Sequence, residues 1–287
     1  MSILVFITTE VHYMHISGRK GAGYLAHNNR EFYCENVDSK RTQYNIIYKN
    51  ESLEEAYEKL FGDSFREYNN KVRKDRKFDG TYLEKLTQSK RNHKEKLFHE
   101  WIVQIGDCSQ VGYVPGQNYQ DAERALNKYM KSFQERNPHL YVFNAILHRD
   151  EKTPHVHIDF ISWAEYEKGQ KIRNSLTKAL EQQGFQPSED RKHTSTMAWQ
   201  VREREVLREY AREYFPDIED EQHNNNKHLP VAEYKEAKAL EQKSIEEIVD
   251  LVQRNENFLK IILRAMNVIL GKEKLYTQNK EYDDQCR

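Results

Sequence analysis

The stretch LYVFNAIL (140–147), HRDEKTP (148–154) and HVHIDFI (155–161) decides how this chain is read. Both flanks are short and rich in β-branched and aromatic residues, which predicts two strands, and the short loop containing Pro154 joins them as an antiparallel hairpin. Side chains alternate across a strand, so His155 and His157 share one face while Val156 and Ile158 point into a core. The hairpin brings His148 opposite His155. Three imidazoles with an open position suit a catalytic metal, since a structural site would close its fourth position with another protein ligand. The other reading is three half-buried sheet histidines with ordinary hydrogen bonds; Asp150 and Glu151 in the same loop weigh against it. Asp159, on the histidine face, either orients an imidazole from behind or is a surface aspartate at the strand end.

Outward from this hairpin, periodicity predicts strands at 2–9, 43–48 and 101–105, and helices at 24–34, 52–61, 81–98 and 119–135. Asn118 is the expected N-cap of the last helix and Asn137-Pro138 its stop. The order of elements predicts an α/β fold, one sheet with helices packed on it. Two more helices are expected at 172–183 and 196–214, the second laced with opposite charges such as Glu205 with Arg208. The expected catalytic domain spans 1–216, followed by a linker at 217–230 and a helical segment at 231–287. In that segment Ile245, Ile248, Val252, Asn255, Leu259, Ile262, Met266 and Ile269 step alternately by three and four, a heptad seam. It either pairs two copies as a short coiled coil or packs on the protein's own body.

Composition narrows the class. The chain has 287 residues, 45 basic and 46 acidic, and 37% hydrophobic, enough for a real core. Pervasive disorder, collagen and a disulfide scaffold are excluded. Cys34, Cys108 and Cys286 are too few and scattered for a disulfide framework, which points to a reducing, cytoplasmic setting. The apolar run at 3–7 is too short for a signal peptide, and 258–270 falls short of the ~20 apolar residues a membrane span requires. The near-zero net charge hides an asymmetry: residues 64–99 carry eleven basic side chains against five acidic ones. Local charge outweighs the total when the partner is a phosphate backbone.

A second cluster, Tyr24-Leu25-Ala26-His27-Asn28-Asn29-Arg30, places His27 and Arg30 on one face if helical, with Tyr24 one turn earlier. A nucleophile, a phosphate clamp and an aromatic surface would then stand together.

Taken together, the two segments resemble the Pre/Mob family of plasmid recombination and mobilisation enzymes, the MobV-type relaxases of the HUH endonuclease superfamily. Their hallmark H-x-D-E-x-T-P-H-x-H is met at every fixed position from His148 to His157, and their N-terminal H-N-x-R by His27, Asn28 and Arg30. A basic residue and an asparagine before the second strand are matched loosely by Arg41 and Asn45. The resemblance covers about residues 1–200. It implies a central antiparallel sheet of about five strands with helices on one side and a DNA cleft on the other, and a helical C-terminal extension.

The implied activity is nicking of one DNA strand at a transfer origin, with the 5′ phosphate left joined to the protein. His27 would be the nucleophile, Arg30 its phosphate-holding partner, Glu151 the acid/base group, and His148, His155 and His157 the metal ligands. Tyr24 is the alternative nucleophile. The family's association with manganese or magnesium, set against an imidazole site that favours transition ions, gives manganese as the expected metal. Single-stranded DNA calls for cations interleaved with aromatic platforms. Arg19, Lys20, Lys40, Arg41, Asn45, Lys71, Arg73, Lys74, Arg76, Lys77, Lys90 and Arg91 are the candidate DNA contacts, with Tyr68, Phe78 and Tyr82 between them. Further expected partners are a second copy through the heptad seam and a coupling protein of a host conjugation system. No G-x-x-x-x-G-K-[ST] loop is present, so no fused ATPase is expected. Rival readings are a rolling-circle initiator or HUH transposase using Tyr24, a DNA-binding module whose metal is only structural, and a small-molecule metallohydrolase.

Overall fold

The computed structural model of the chain describes residues 14–88, 96–112, 115–188 and 193–220. Five strands form an antiparallel sheet: β1 (His15–Lys20), β2 (Ile46–Asn50), β3 (His99–Ile105), β4 (Leu140–His148) and β5 (His155–Ser162). Their order is β2-β4-β5-β3-β1, with β5 at the centre. A short hairpin of β6 (Ala164–Glu165) and β7 (Ile172–Arg173) stands apart, and the two-residue β8 (Glu219–Asp220) lies parallel to β1 at the sheet edge. The helices are α1 (Leu25–Asn28), α2 (Leu53–Lys71), α3 (Tyr82–Gln88), α4 (Cys108–Val111), α5 (Gln117–Arg136), α6 (Leu176–Gln182) and α7 (Ser195–Arg212). None of these helices is long and apolar enough to cross a membrane.

Every residue of β5 is buried, because strands cover both its edges and side chains cover both its faces. Val156, Ile158 and Phe160 point to one face, with Trp101, Val103 and Ile105 of β3 and Ala145 and Leu147 of β4. On this face lies α5, whose buried Ala122, Ala125, Leu126, Tyr129 and Phe133 recur at helical spacing. Each large side chain so buried contributes roughly 1.5–3 kcal/mol. Glu203 of α7 is buried against α5, where it accepts from Tyr129 Oη at 2.5 Å, Arg136 Nη2 at 2.8 Å and Asn137 Nδ2 at 3.1 Å. The charge-laced helix expected at 196–214 is thus not solvated all round.

The opposite face is shared. A register shift between Val142 and Asn144 turns Phe143 away from α5, and with Ile161 it meets Tyr57, Phe61, Phe65 and Tyr82 of α2 and α3. Ser52 and Glu55 close a reciprocal capping box that starts α2, worth ~1 kcal/mol. Helices therefore lie on both faces, correcting the one-sided arrangement expected, and leave only part of the histidine face open.

Other expectations need adjustment. The strand at 2–9 and the segment from 221 onward, with its heptad seam and most of the linker, lie outside the described residues. β1 was not foreseen. The helix expected over 24–34 is the single turn α1, that over 81–98 has ended before the non-helical 96–98, and residues 172 and 173 form β7. Gly116, not Asn118, precedes α5, while Asn137 does cap its end.

His99 stacks on Phe160 with ring centroids 5.8 Å apart, and both its ring nitrogens are buried without a hydrogen-bond partner. Burial, then the charges of Lys20 and Lys96, lower its pKa to about 4. An unfolded histidine protonates near 6.5, so between those values the unfolded chain binds more protons than the folded one. The His99 contribution is therefore complete above pH 6.5 and is lost as pH falls toward 4, at up to ~1.4 kcal/mol per pH unit. His99→Phe should flatten the fall of Tm between pH 7 and 5 relative to the parent; identical slopes by thermal denaturation would refute this.

Candidate active site

Cross-strand register assembles the site. His148 pairs with His155 across β4 and β5, Ile146 with His157, and on the other side Gln104 and Ile102 of β3 pair with the same two histidines. Partnered residues share a face, so His148, His155 and His157 converge, with ring centroids 4.7–5.3 Å apart. In each ring one nitrogen is tied back to the protein: His148 Nε2 to the Asn28 carbonyl at 2.8 Å, His155 Nδ1 to the Thr153 carbonyl at 2.8 Å, and His157 Nδ1 to the Glu100 carboxylate at 2.6 Å. The other nitrogens turn inward. His148 Nδ1 and His157 Nε2 are buried with no hydrogen-bond partner. An acceptor behind each ring fixes the tautomer that presents a lone pair in front, the arrangement of metal-ligating histidines. Burial and the neighbouring imidazoles hold His148 well below the ordinary histidine range, and burial and His157 lower His155 to about 4, so both are neutral at pH 7.

Glu151 stands at the mouth. Its Oε1 lies 3.6 Å from His27 Nε2, 3.7 Å from His148 Nδ1 and 3.8 Å from His155 Nε2, and accepts from Arg30 Nη2 at 2.8 Å. Among the described residues two groups have the spacing to hold a metal ion, His148 with Glu151 and His155, and His148 with His27 and His157, neither being the full expected trio.

His27 reaches the cluster from α1, its ring centroid 6.0 Å from that of His148 and 5.9 Å from that of His157. The expected face shared with Arg30 does not come from helix spacing, because α1 ends at Asn28 and Arg30 has φ 58°. Such a left-handed conformation costs ~1–3 kcal/mol in a non-glycine residue and persists only where the surroundings fix it. Here they do: Nε and Nη2 of Arg30 grip both oxygens of Asp150 at 2.9 and 2.6 Å, and Nη1 lies 3.4 Å from His27 Nε2. Burial first, then the Arg30 charge, lowers the His27 pKa and keeps the ring neutral.

Asn28 clasps α1 to the sheet. Its carbonyl holds His148, and its amide donates to Glu100 at 2.8 Å and Asp159 at 3.0 Å. Glu100 also accepts from the Gly23 N–H at 2.7 Å, where φ is +76°, and at Gly21 a Cβ would collide with the Glu100 carboxylate. Burial would raise the Glu100 carboxyl, but hydrogen bonds from His157 and Gly23 outweigh it and hold it at about 2. The acid behind an imidazole is therefore Glu100, not Asp159. Asp159 bonds to Asn28 and Asn144 instead, and burial, partly offset by Asn28, together with the Glu100 charge pushes it up to about 6. Glu100→Gln should weaken divalent-ion binding by ~10–100-fold, measured calorimetrically, because an amide must turn one N–H toward donors already there. Unchanged affinity would show that Glu100 does not support His157.

A family model for Mob_Pre, plasmid recombination enzyme, matches residues 11–195. The chain belongs to the Mob_Pre family. As a member it is a plasmid recombination enzyme. Among solved structures it is similar to the MobM relaxase domain (MOBV; Mob_Pre) bound to plasmid pMV158 oriT DNA. A Mn-bound crystal structure of that domain with 22-nucleotide DNA at pH 5.5 is 22% identical, with 78% of this chain and 99% of that chain covered and a TM-score of 0.41. One with 23-nucleotide DNA at pH 6.5 is also 22% identical, with 79% and 98% covered and a TM-score of 0.39. No curated protein matches the chain.

Around this Mob_Pre site a cavity of about 280 Å³ is lined by His27, His155, His157, Glu151, Gln104 and the cations Arg19 and Lys152. Of the anticipated DNA contacts only Arg19 lines it. Lys20, Lys40, Lys74, Arg76 and Lys77 are exposed elsewhere, and Arg73 pairs with Asp75. Lys71 pairs with Glu67. Arg41 donates to Tyr119 Oη, and Asn45 uses its side chain on Asp150 and the Arg149 N–H. Lys90 and Arg91 lie outside the described residues. Tyr82 is buried in the α2–α3 core and Phe78 packs edge-on against Phe65, so these two are core rather than DNA platforms. Tyr68 is half-buried, with the Lys85 ammonium over its ring. Tyr24 is exposed. Sequence reasoning missed Glu100, Asn28 as a clasp, Lys152, and Cys34, whose Sγ lies 3.7 Å from His27 Nδ1. The signal for Glu100 was the one carboxylate, beside Trp101, in the strand His99–Ile105.

Proposed function

We propose that this chain nicks one strand of plasmid DNA at a transfer origin by transesterification, with His27 as nucleophile and a divalent metal, manganese by preference, on His148, His155 and His157. The observation that carries this reading is the inward set of unpartnered imidazole nitrogens with neutral His27 beside them. When bound, the metal supplies Lewis-acid polarisation of a non-bridging phosphate oxygen.

The chain's own residues do the rest. Arg30, already beside the His27 ring, holds the phosphate against it. His27 Nε2 gives its electron pair to phosphorus, and the P–N bond forms as the P–O bond to the 3′ oxygen breaks. The remaining ring proton sits on Nδ1, on the Cys34 side away from Glu151, and leaves to solvent, while Glu151 passes a proton taken from solvent to the departing 3′ oxygen. The products are a free 3′ hydroxyl and a 5′ phosphoramidate on His27, which a 3′ hydroxyl can reseal without ATP.

The test is supercoiled plasmid carrying the region upstream of the protein's own gene, incubated with the protein and Mn²⁺. Nicked circles with protein on the 5′ end are expected. EDTA should stop nicking yet leave the far-ultraviolet circular dichroism intact, because the apolar core is built without the metal. Supercoiled DNA left intact, or loss of helical signal on chelation, would defeat the reading.

A further inference from the structure

Most of the aromatic side chains in the described residues are packed into the core. Beside His27 two stand outside. Tyr24 is 59% exposed and Phe32 37% exposed, their ring centroids 5.5 Å apart, and the Phe32 centroid is 6.2 Å from that of His27. A single exposed ring needs no explanation. A pair against the nucleophile does. The backbone brings them together: the chain reverses at Arg30, the one non-glycine residue with positive φ among those described, closed by Arg30 N–H to the His27 carbonyl and Glu31 N–H to the Ala26 carbonyl. That turn folds Phe32 back beside Tyr24 instead of sending it away along a helix.

We propose that Tyr24 and Phe32 form a stacking platform for the unpaired nucleobase next to the scissile phosphate. The inference rests on the relaxase reading. A phosphate held at His27 carries its base one sugar away, where these rings lie, while Arg19 and Lys152 line the adjoining cavity and favour the polyanion. Every base has a π-face, so the platform accepts any base and fixes the strand's position rather than its sequence. It takes the place of the expected platform of Tyr68, Phe78 and Tyr82, of which Tyr82 is buried in the core and Phe78 and Tyr68 are half-buried. The Tyr24 ring, not its hydroxyl, is the part used.

The nick mapped in the plasmid assay defines a labelled single strand, made intact or abasic at each position around the nick, and binding is followed by anisotropy in EDTA so that no cleavage intervenes. One abasic position beside the nick should weaken the wild-type complex by about five- to a hundredfold. At that position alone the penalty should vanish in Tyr24→Leu and Phe32→Leu and persist in Tyr24→Phe and Phe32→Trp. The leucine variants weakening intact and abasic strands alike, or weakening neither, would overturn the platform and leave the relaxase reading standing. Absence of any nick to map would remove both.

Discussion

His27→Ala should abolish covalent attachment of the protein to nicked plasmid, a loss of at least ~1,000-fold on the scale of a deleted nucleophile. Tyr24→Phe, which keeps the ring and removes the hydroxyl, should still form the adduct. The geometry behind this asymmetry is direct: His27 Nε2 is 3.6 Å from Glu151 and 3.4 Å from Arg30, whereas the nearest ring to Tyr24 is the exposed Phe32. Denaturing gel electrophoresis of labelled DNA reads both outcomes. An adduct of normal yield in the alanine variant, or its disappearance in Tyr24→Phe, would transfer the role to the tyrosine and favour a rolling-circle initiator or transposase mechanism.

The largest effect on stability is expected at Asp150. Its side chain is fully buried, and it accepts from Arg30 Nε and Nη2, Thr42 Oγ1 and Asn45 Nδ2, while its carbonyl accepts from the Asp38 N–H. Burial alone would raise this carboxyl; hydrogen bonds from Arg30, Asn45 and Thr42 outweigh it and hold it well below the usual carboxylate range. Asp150→Ala leaves a guanidinium whose side chain is only 5% exposed without its bidentate partner. Breaking one side of such a buried pair costs ~3–5 kcal/mol, which in a domain of this size lowers Tm by roughly 10 °C. Adding Arg30→Met should restore part of the loss, though not nicking. The Asp150 contribution is complete above the unfolded carboxylate pKa near 4 and is lost only as pH falls through its depressed folded value, so the deficit should be constant from pH 8 to 5. A deficit under ~1 kcal/mol by urea denaturation would show that the pair is screened like a surface salt bridge.

How much of this was legible depended on where the information lay along the chain. The hairpin of β4 and β5 was readable almost to the residue because apolar alternation and H-x-H coincide there, and the register then follows from the short loop. β1 escaped because His15-Ile16-Ser17-Gly18-Arg19-Lys20 offers one buried aliphatic side chain in six residues; its pairing with β3 holds it, not its composition. The single turn α1 was read as a longer helix because nothing local announces a reversal at Arg30. That reversal is imposed by Asp150, 120 residues later. The role of Glu100 was missed for the same reason: its carboxylate stands out in β3, but its partners Gly23, Asn28 and His157 are far away in sequence. Tyr82 and Phe78 were misread because a basic stretch with interleaved aromatics looks identical whether the rings face DNA or a core.

Asn28 has one more consequence. On the proposed mechanism, a strand joined to His27 and drawn away would put the protein under tension at that point. With Asn28 fastened to β3, β4 and β5 through Glu100, His148 and Asp159, the load would pass straight into the three middle strands of the five-stranded antiparallel sheet. The pull is then borne across three strands at once, and the turn that carries the attachment need not unravel.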